Sequence, residues 1–324
     1  MGRQYNGQEA TMATMADMTF GVELETFGLG KAAAIAKLGA QEGWRNAGSY
    51  AVDPKGRRWH AKGDASIHGY NPAEIVTPIL KYEDMELLQA AIRVLRGAGA
   101  KVNDSCGVHI HVGADLFDAP AVVRLVKYWH RKEALIKHAL GTLIRRSNTY
   151  CRDINAGGFV DRLDARRGRI RTMPQLHEVW YGGEAEARNA RGYHYHGSRY
   201  HALNLHALAY HGTIEFRLFN ATLHAGKVRA YVQFVLLVAL HALNTRTAAR
   251  PNRAPFNAET AKYDFRVCIL RLGGIGDEFK TMRKHLTKHL QGNAARKNGR
   301  PAPVATAPEA AAPADNENPN RRAA

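Results

Sequence analysis

At 324 residues the chain is long enough for one large domain or two ordinary ones, each with a sizeable core. With 45% hydrophobic and 23% charged residues the composition is globular, which excludes a fibrous or wholly disordered protein. A net charge of +17 favours polyanionic or phosphate-bearing partners and says nothing about fold.

Residues 1–17 have no basic start followed by an apolar core, so they read as a flexible extension and not as a leader peptide. "FGVELE" at 20–25 then alternates strictly. As a strand it puts Glu23 and Glu25 on one face, about 7 Å apart, and Val22 and Leu24 on the other. A short helix is expected over 31–39. In "WHAKGDASIHGYNPAEIVTPIL", residues 59–80, Asp64 and Ser66 fall in a glycine-containing turn and Glu74 opens an apolar strand over 74–80. The spacing of Met85, Leu88, Ile92 and Leu95 predicts an amphipathic helix over 83–100. "CGVHIHV" at 106–112 repeats the first design, with His109 and His111 on one face and Val108, Ile110 and Val112 on the other. A helix over 118–144 starts with Asp118 as cap and Pro120 in the first turn.

Basic residues cluster at 145–171, in "RRSNTYCR" and "RLDARRGRIR", either as a solvated loop or as a phosphate-handling segment. "HYHGSRYH" at 194–201 reads as a surface loop. Strands are expected at 199–206 and 213–219, joined by "ALAYHG" as an antiparallel hairpin with a longer loop. In the second, "TIEFRLF", Glu215 and Arg217 share a face, and Ile214, Phe216 and Leu218 take the other. A largely buried helix follows over 225–244. Its most apolar stretch, 230–243, is short and interrupted by Gln233 and His241, so a core helix is expected in place of a membrane span. Shorter helices are expected over 258–270 and 276–290. From about residue 291 the chain is rich in Ala, Pro and Asn and is expected to be a disordered tail, leaving 18–290 as the folded body.

Strands and helices mix without a βαβ rhythm, which points to an α+β domain: an antiparallel sheet with helices on one face. Three cysteines, Cys106, Cys151 and Cys268, form no CxxC and match no zinc spacing, so a reducing, cytoplasmic setting is expected.

A half-exposed strand ordinarily shows Thr, Lys or Ser on its wet face. Here the three alternating strands show Glu, Glu, His, His, Glu and Arg. Carboxylates crowded together raise one another's pKa unless a cation sits among them. Mg²⁺ prefers carboxylate oxygens and Mn²⁺ also accepts imidazole, so Glu23 and Glu25 are candidate ligands of a divalent metal, with Glu74 a further one. Arg217 beside them suits a phosphate or carboxylate, which its fork can grip bidentately. Arg199 and Asn204, in "SRYHALNL", can join the same surface. "FGLGKA" at 27–32 fails as a Walker A loop, because Glu25 stands where its first glycine belongs and Ala32 where Ser or Thr does. No GxSxG occurs, and no GxGxxG follows a strand.

These pieces, in this order, resemble the putative amidoligase family, a branch of the glutamine synthetase and γ-glutamylcysteine ligase superfamily. The matching segments are "FGVELE", "DASI" with "EIVTPIL", "CGVHIHV", "RRSNTYC", "RYHALNL" and "TIEFRLFNATL", spanning about 19–245. The resemblance implies a curved, mainly antiparallel half-barrel sheet with helices on its outer face. It implies an ATP-dependent ligase using Mg²⁺ or Mn²⁺, which phosphorylates a carboxylate so that an amine can attack the acyl phosphate. By position, Glu23, Glu25, Glu74, Glu215 and His109 are implied metal ligands, with His111 facing the substrate side. Arg217 and Arg199 are implied phosphate or substrate-carboxylate contacts. Arg146, Asn148 and Asn204 are implied nucleotide or substrate contacts. "DAS" stands where "DGS" is expected, which matters only if Ala65 needs positive φ.

Two other readings compete. A metal-dependent nuclease or phosphodiesterase would use the same acids and histidines without ATP. A non-catalytic, basic nucleic-acid-binding protein would tolerate Glu23→Gln and show steep salt dependence. The acid and amine substrates are not legible; a basic surface at Arg166, Arg167 and Arg169 is compatible with an acidic acceptor.

Overall fold

Apolar side chains at every second position make three long strands bury one face, and those strands organise the structure. The computed structural model describes residues 12–166, 169–250 and 252–297. Residues 1–11 of the expected extension, Arg167 of the basic cluster and residues 298–324 of the expected tail lie outside them.

The strands are β1 (Thr19–Thr26), β2 (Arg45–Asn46), β3 (Tyr50–Val52), β4 (Arg58–Lys62), β5 (Ala73–Val76), β6 (Leu80–Lys81), β7 (Gly107–Gly113), β8 (Leu203–Asn204) and β9 (Thr213–Asn220). They form one open sheet in the order β2-β3-β4-β5-β1-β7-β9-β8, with β6 added to β1. Every pairing is antiparallel. The helices are α1 (Lys31–Gly39), α2 (Met85–Gly97), α3 (Ala119–Leu140), α4 (Ile144–Thr149), α5 (Phe159–Ala165), α6 (Met173–Tyr181), α7 (Glu184–Ala190), α8 (His206–His211), α9 (Ala225–Asn244), α10 (Ala261–Arg271) and α11 (Lys280–Thr287). The protein is an α+β structure, as its patterning predicts.

Val22, Leu24, Val108, Ile110, Ile214 and Phe216 are all buried, facing the helices. Trp129 of α3 packs edge-on against Phe216, ring centres 5.3 Å apart, and Tyr231 of α9 stacks on Phe219 at 4.5 Å. Burial of each such side chain contributes about 1.5–3 kcal/mol. By length and composition α9 could cross a membrane, which the sequence reading of its central stretch did not allow; 67% of its most apolar window is buried inside the protein, between α2, α3 and α11.

Local chemistry sets the boundaries. Asp118 caps α3 by accepting the Ala121 N–H at 2.7 Å, and Gly141, at φ 61°, ends it, so the helix expected over 118–144 stops at Leu140. The strand expected over 74–80 is cut at Pro78, which has no N–H to give; Thr77 bridges the gap, its hydroxyl accepting the Val22 N–H at 2.9 Å. Of the strand expected over 199–206 only Leu203–Asn204 forms. It pairs with β9 as expected, but "ALAYHG" closes the hairpin as α8 and not as a loop. Ala65 is not among the positive-φ residues, so "DAS" forms its turn without glycine.

Candidate functional site

Sheet register assembles the polar face. Glu23 lies opposite His109, Glu25 opposite Glu74, His111 opposite Glu215, and Glu215 opposite Asn204. Between the pairs Val108–Phe219 and Ile110–Phe216, β9 advances three residues against two on β7, a bulge at Arg217–Leu218. Bulges of this kind re-aim a side chain next to a site. Arg217 thereby joins the same cleft, of about 520 Å³, that Glu23, Glu25, Glu74, His109, His111, Arg146, Arg199, Asn204 and Glu215 line.

At its centre one ligand atom each from Glu23, His111 and Glu215 lie within 4.8 Å of one another. His111 Nε2 is 3.6 Å from Glu23 and 3.7 Å from Glu215, while its Nδ1 bonds to the Thr213 hydroxyl at 2.8 Å, fixing the ring. The imidazole within this trio is therefore His111. His109, the ligand that the resemblance implies, lies among three carboxylates, with Nδ1 3.2 Å from Glu23 and 3.7 Å from Glu215 and Nε2 3.4 Å from Glu25. Glu215 is buried; it accepts from Asn204 at 2.6 Å and pairs with Arg217.

Burial opposes ionisation of Glu23, but hydrogen bonds and charge from His109 and His111 outweigh it and hold the carboxyl well below its usual range. Burial likewise opposes Glu215, and Arg217, His111 and His109 bring it down to about 2. Glu74 behaves in the opposite way: burial and the neighbouring charge of Glu23 push it up to about 8. The face thus holds one carboxyl group shifted toward its neutral form beside two shifted toward ionisation.

Arg146, from α4, passes beneath this surface. Its guanidinium donates to the Arg217 carbonyl at 3.1 Å and lies over Gly107, where a Cβ would come within 2.2 Å of it. Glu25 accepts the Gly107 N–H. Asn148, two residues on, is exposed and lines a separate shallow depression with Arg152 and Arg253. Asp64 accepts the Ser66 N–H at 2.7 Å, and both line the cleft.

The loop "HYHGSRYH" is exposed only in part, at His194, Tyr195 and Gly197, with His201 buried; it forms the cleft's rim with His194, Tyr195, Arg199 and Tyr200, facing Tyr210 and His211 of α8. Arg199 sits against both Tyr195 and Tyr200, at 5.4 and 5.3 Å from their ring centres. Sequence reasoning missed Lys62, Tyr195 and Tyr210. Only Lys62 left a signal, as a cation on the strand that pairs with Glu74.

Five of these residues carry buried nitrogen atoms with no hydrogen-bond partner: Nε2 of His109 and of His111, Nε of Arg146 and of Arg217, and Nε and Nη1 of Arg199. Buried polar atoms are ordinarily paired, and orphans gathered in one cleft mark groups that a ligand satisfies. Once its proton is lost, His111 Nε2 between two carboxylates fits a divalent cation, and the three guanidinium groups fit an anion beside it.

No curated protein matches the chain. The family described as putative amidoligase enzyme matches residues 16–239, a span that runs from the residues before β1 into α9 and so contains every strand of the sheet and every cleft residue named above. The chain belongs to this putative amidoligase family, and its function is in kind that of a ligase-type enzyme.

Proposed function

We propose that the protein is an ATP-dependent carboxylate–amine ligase that activates its acid substrate as an acyl phosphate. The observation that carries this reading is the convergence of Glu23, His111 and Glu215 with three arginines in one cleft of a chain from the amidoligase family. When bound, Mg²⁺ or Mn²⁺ would neutralise phosphate oxygens and orient the transferred group.

Phosphoryl transfer needs alignment and charge stabilisation more than a protein nucleophile. Glu23, His111 and Glu215 would hold the metal, with Glu25, His109 and Glu74 around them. Arg217 is fixed on Glu215 and keeps Nε free to meet an oxygen of the γ-phosphate or the substrate carboxylate. Arg199, on the rim, meets the other anionic group. Asn204 holds Glu215 in place. The incoming amine must lose a proton, and the cleft's carboxylates lie within reach of that task. The substrates are a carboxylate and an amine, and the setting is the cytoplasm.

The test is calorimetric binding of a non-hydrolysable ATP analogue with and without Mg²⁺, with Glu23→Gln and Glu215→Gln beside the natural chain. Metal-dependent binding lost in both variants is expected. A folded, metal-loaded protein that binds no nucleotide would overturn the reading and turn attention to phosphodiester substrates.

A further inference from the structure

A second cavity, of about 630 Å³, lies on the helix-covered side of the sheet and shares no lining residue with the cleft. One wall is α3, with Tyr128, Arg131 and Lys132. The rest comes from chain beyond the family match: His241 of α9, which closes the floor, the stretch 254–257, α10 and Lys297.

Its chemistry has two parts. Four cations, Arg131, Lys132, Arg271 and Lys297, face a single acid, Asp264. Asp264 engages Lys297 at 3.8 Å, and Arg131 donates one Nη1 to the Asn252 carbonyl at 2.9 Å. Lys132 and Arg271 have no carboxylate partner among the described residues, and both stand near enough to the buried Cys268 sulfur to act on it electrostatically. The second part is aromatic. Tyr128 and His241 pack with ring centres 4.7 Å apart, Tyr128 is anchored by its hydrogen bond to Cys268 at 3.1 Å, and Phe256 remains 42% exposed at the edge.

Cations that lack partners, beside aromatic faces in a concavity of ligand size, recognise a planar body carrying a negative group. We propose that this cavity binds a small planar organic anion, an aryl carboxylate, sulfonate or phosphate, with its charge on Lys132 and Arg271 and its ring against Tyr128 and Phe256. The proposal does not depend on the ligase reading, since the two sites share no residue.

The test uses the full chain and two fluorescent probes: anilinonaphthalene sulfonate, and phenylnaphthylamine as its uncharged counterpart. Saturable one-to-one binding of the sulfonate is expected. Arg271→Glu weakens it by about tenfold, the size of one lost charge contact, and leaves the uncharged probe unchanged. Phe256→Ala weakens both probes. Arg271 and Phe256 are exposed, so neither change threatens the fold, and Lys132→Gln gives a milder second reading of the charge term. Sulfonate binding that ignores Arg271→Glu and Lys132→Gln, or that is lost instead with Arg199→Ala in the cleft, overturns the proposal.

Discussion

Two ionic clusters stand on the same sheet, and they are built in opposite ways. Near the β3–β4 turn, Asp53 and Asp84 are both buried around Arg57, which binds Asp53 at 2.9 Å and Asp84 through two nitrogens at 2.7 and 3.1 Å. Lys55 adds a contact to Asp84, the Trp59 indole donates to Asp53, and backbone N–H groups take the remaining carboxylate oxygens. In the cleft, charges of both signs are as close, yet nitrogen atoms of His109, His111, Arg146 and Arg217 go unpaired. Closed hydrogen bonding marks the first cluster as a clamp of the fold. Open hydrogen bonding marks the second as a surface that awaits a ligand.

The sharpest way to break this comparison is to remove one cation or one acid from each. Arg57→Met strands two buried carboxylates and is expected to cost about 3–5 kcal/mol in urea unfolding. Glu23→Gln, nearly isosteric and already surrounded by unsatisfied groups, is expected to cost far less. Equal losses would erase the distinction.

The acid limb sharpens it. Burial pushes the Asp84 carboxyl up, and hydrogen bonds from Arg57 and Lys55 more than reverse this, leaving it below the usual carboxylate range. A group that ionises more readily in the folded state stabilises fully above its unfolded pKa, near 4 for aspartate. That contribution is lost as pH falls through the folded value. Stability measured from pH 5 down to pH 2 should therefore fall in the natural chain, and this part of the slope should shrink in Arg57→Met, where Lys55 alone still pairs with Asp84.

Metal should act on one cluster alone. At about a hundredfold excess over its dissociation constant, Mn²⁺ would stabilise the protein by about 2.7 kcal/mol. The rise in Tm should be absent in Glu215→Gln. In Arg57→Met it should survive on a lower baseline.

Smaller effects follow. Gly107→Ala drives a methyl group into the Arg146 guanidinium and should cost about 1–3 kcal/mol in thermal unfolding. Adding Arg146→Ala should recover part of that loss, a non-additivity that would expose the contact. Asn148→Ala, exposed and outside the cleft, should change stability by under about 0.5 kcal/mol and leave nucleotide binding untouched.

The sequence was most informative where side-chain period and chemistry agreed. Strict alternation placed β1, β7 and β9, and the unusual residues on their wet faces placed the cleft. Propensity alone could not show that Pro78 would divide a strand, or that Thr77 would lend its hydroxyl to the ladder. The short strands at 45–62 and the helices at 159–190 went unread, because such brief segments carry too few periodic positions. How His109 and His111 share the carboxylates is a matter of register: both point the same way and both lie 3.7 Å from Glu215, with His111 directly opposite it on β9 and His109 opposite Glu23 on β1. The rim was read as a surface loop because exposure is all its composition declares. That it faces the cleft depends on α8, where a plain hairpin loop was expected.

The order in which the chain is made gives the central sheet a further meaning. β1 lies in the middle of the sheet, between β5 and β7, while β9, which completes the cleft, comes almost two hundred residues later. A ribosome exposes Glu23 long before Glu215 exists. Until Asn220 has emerged, β7 presents an unsatisfied edge and the trio of Glu23, His111 and Glu215 cannot close. On the proposed function, cation capture by this trio would belong to the end of folding and could not nucleate it. The many contacts between distant parts of the chain make slow, late assembly the expected kinetics. A nascent chain halted before Thr213 would have an edge for aggregation and an incomplete trio.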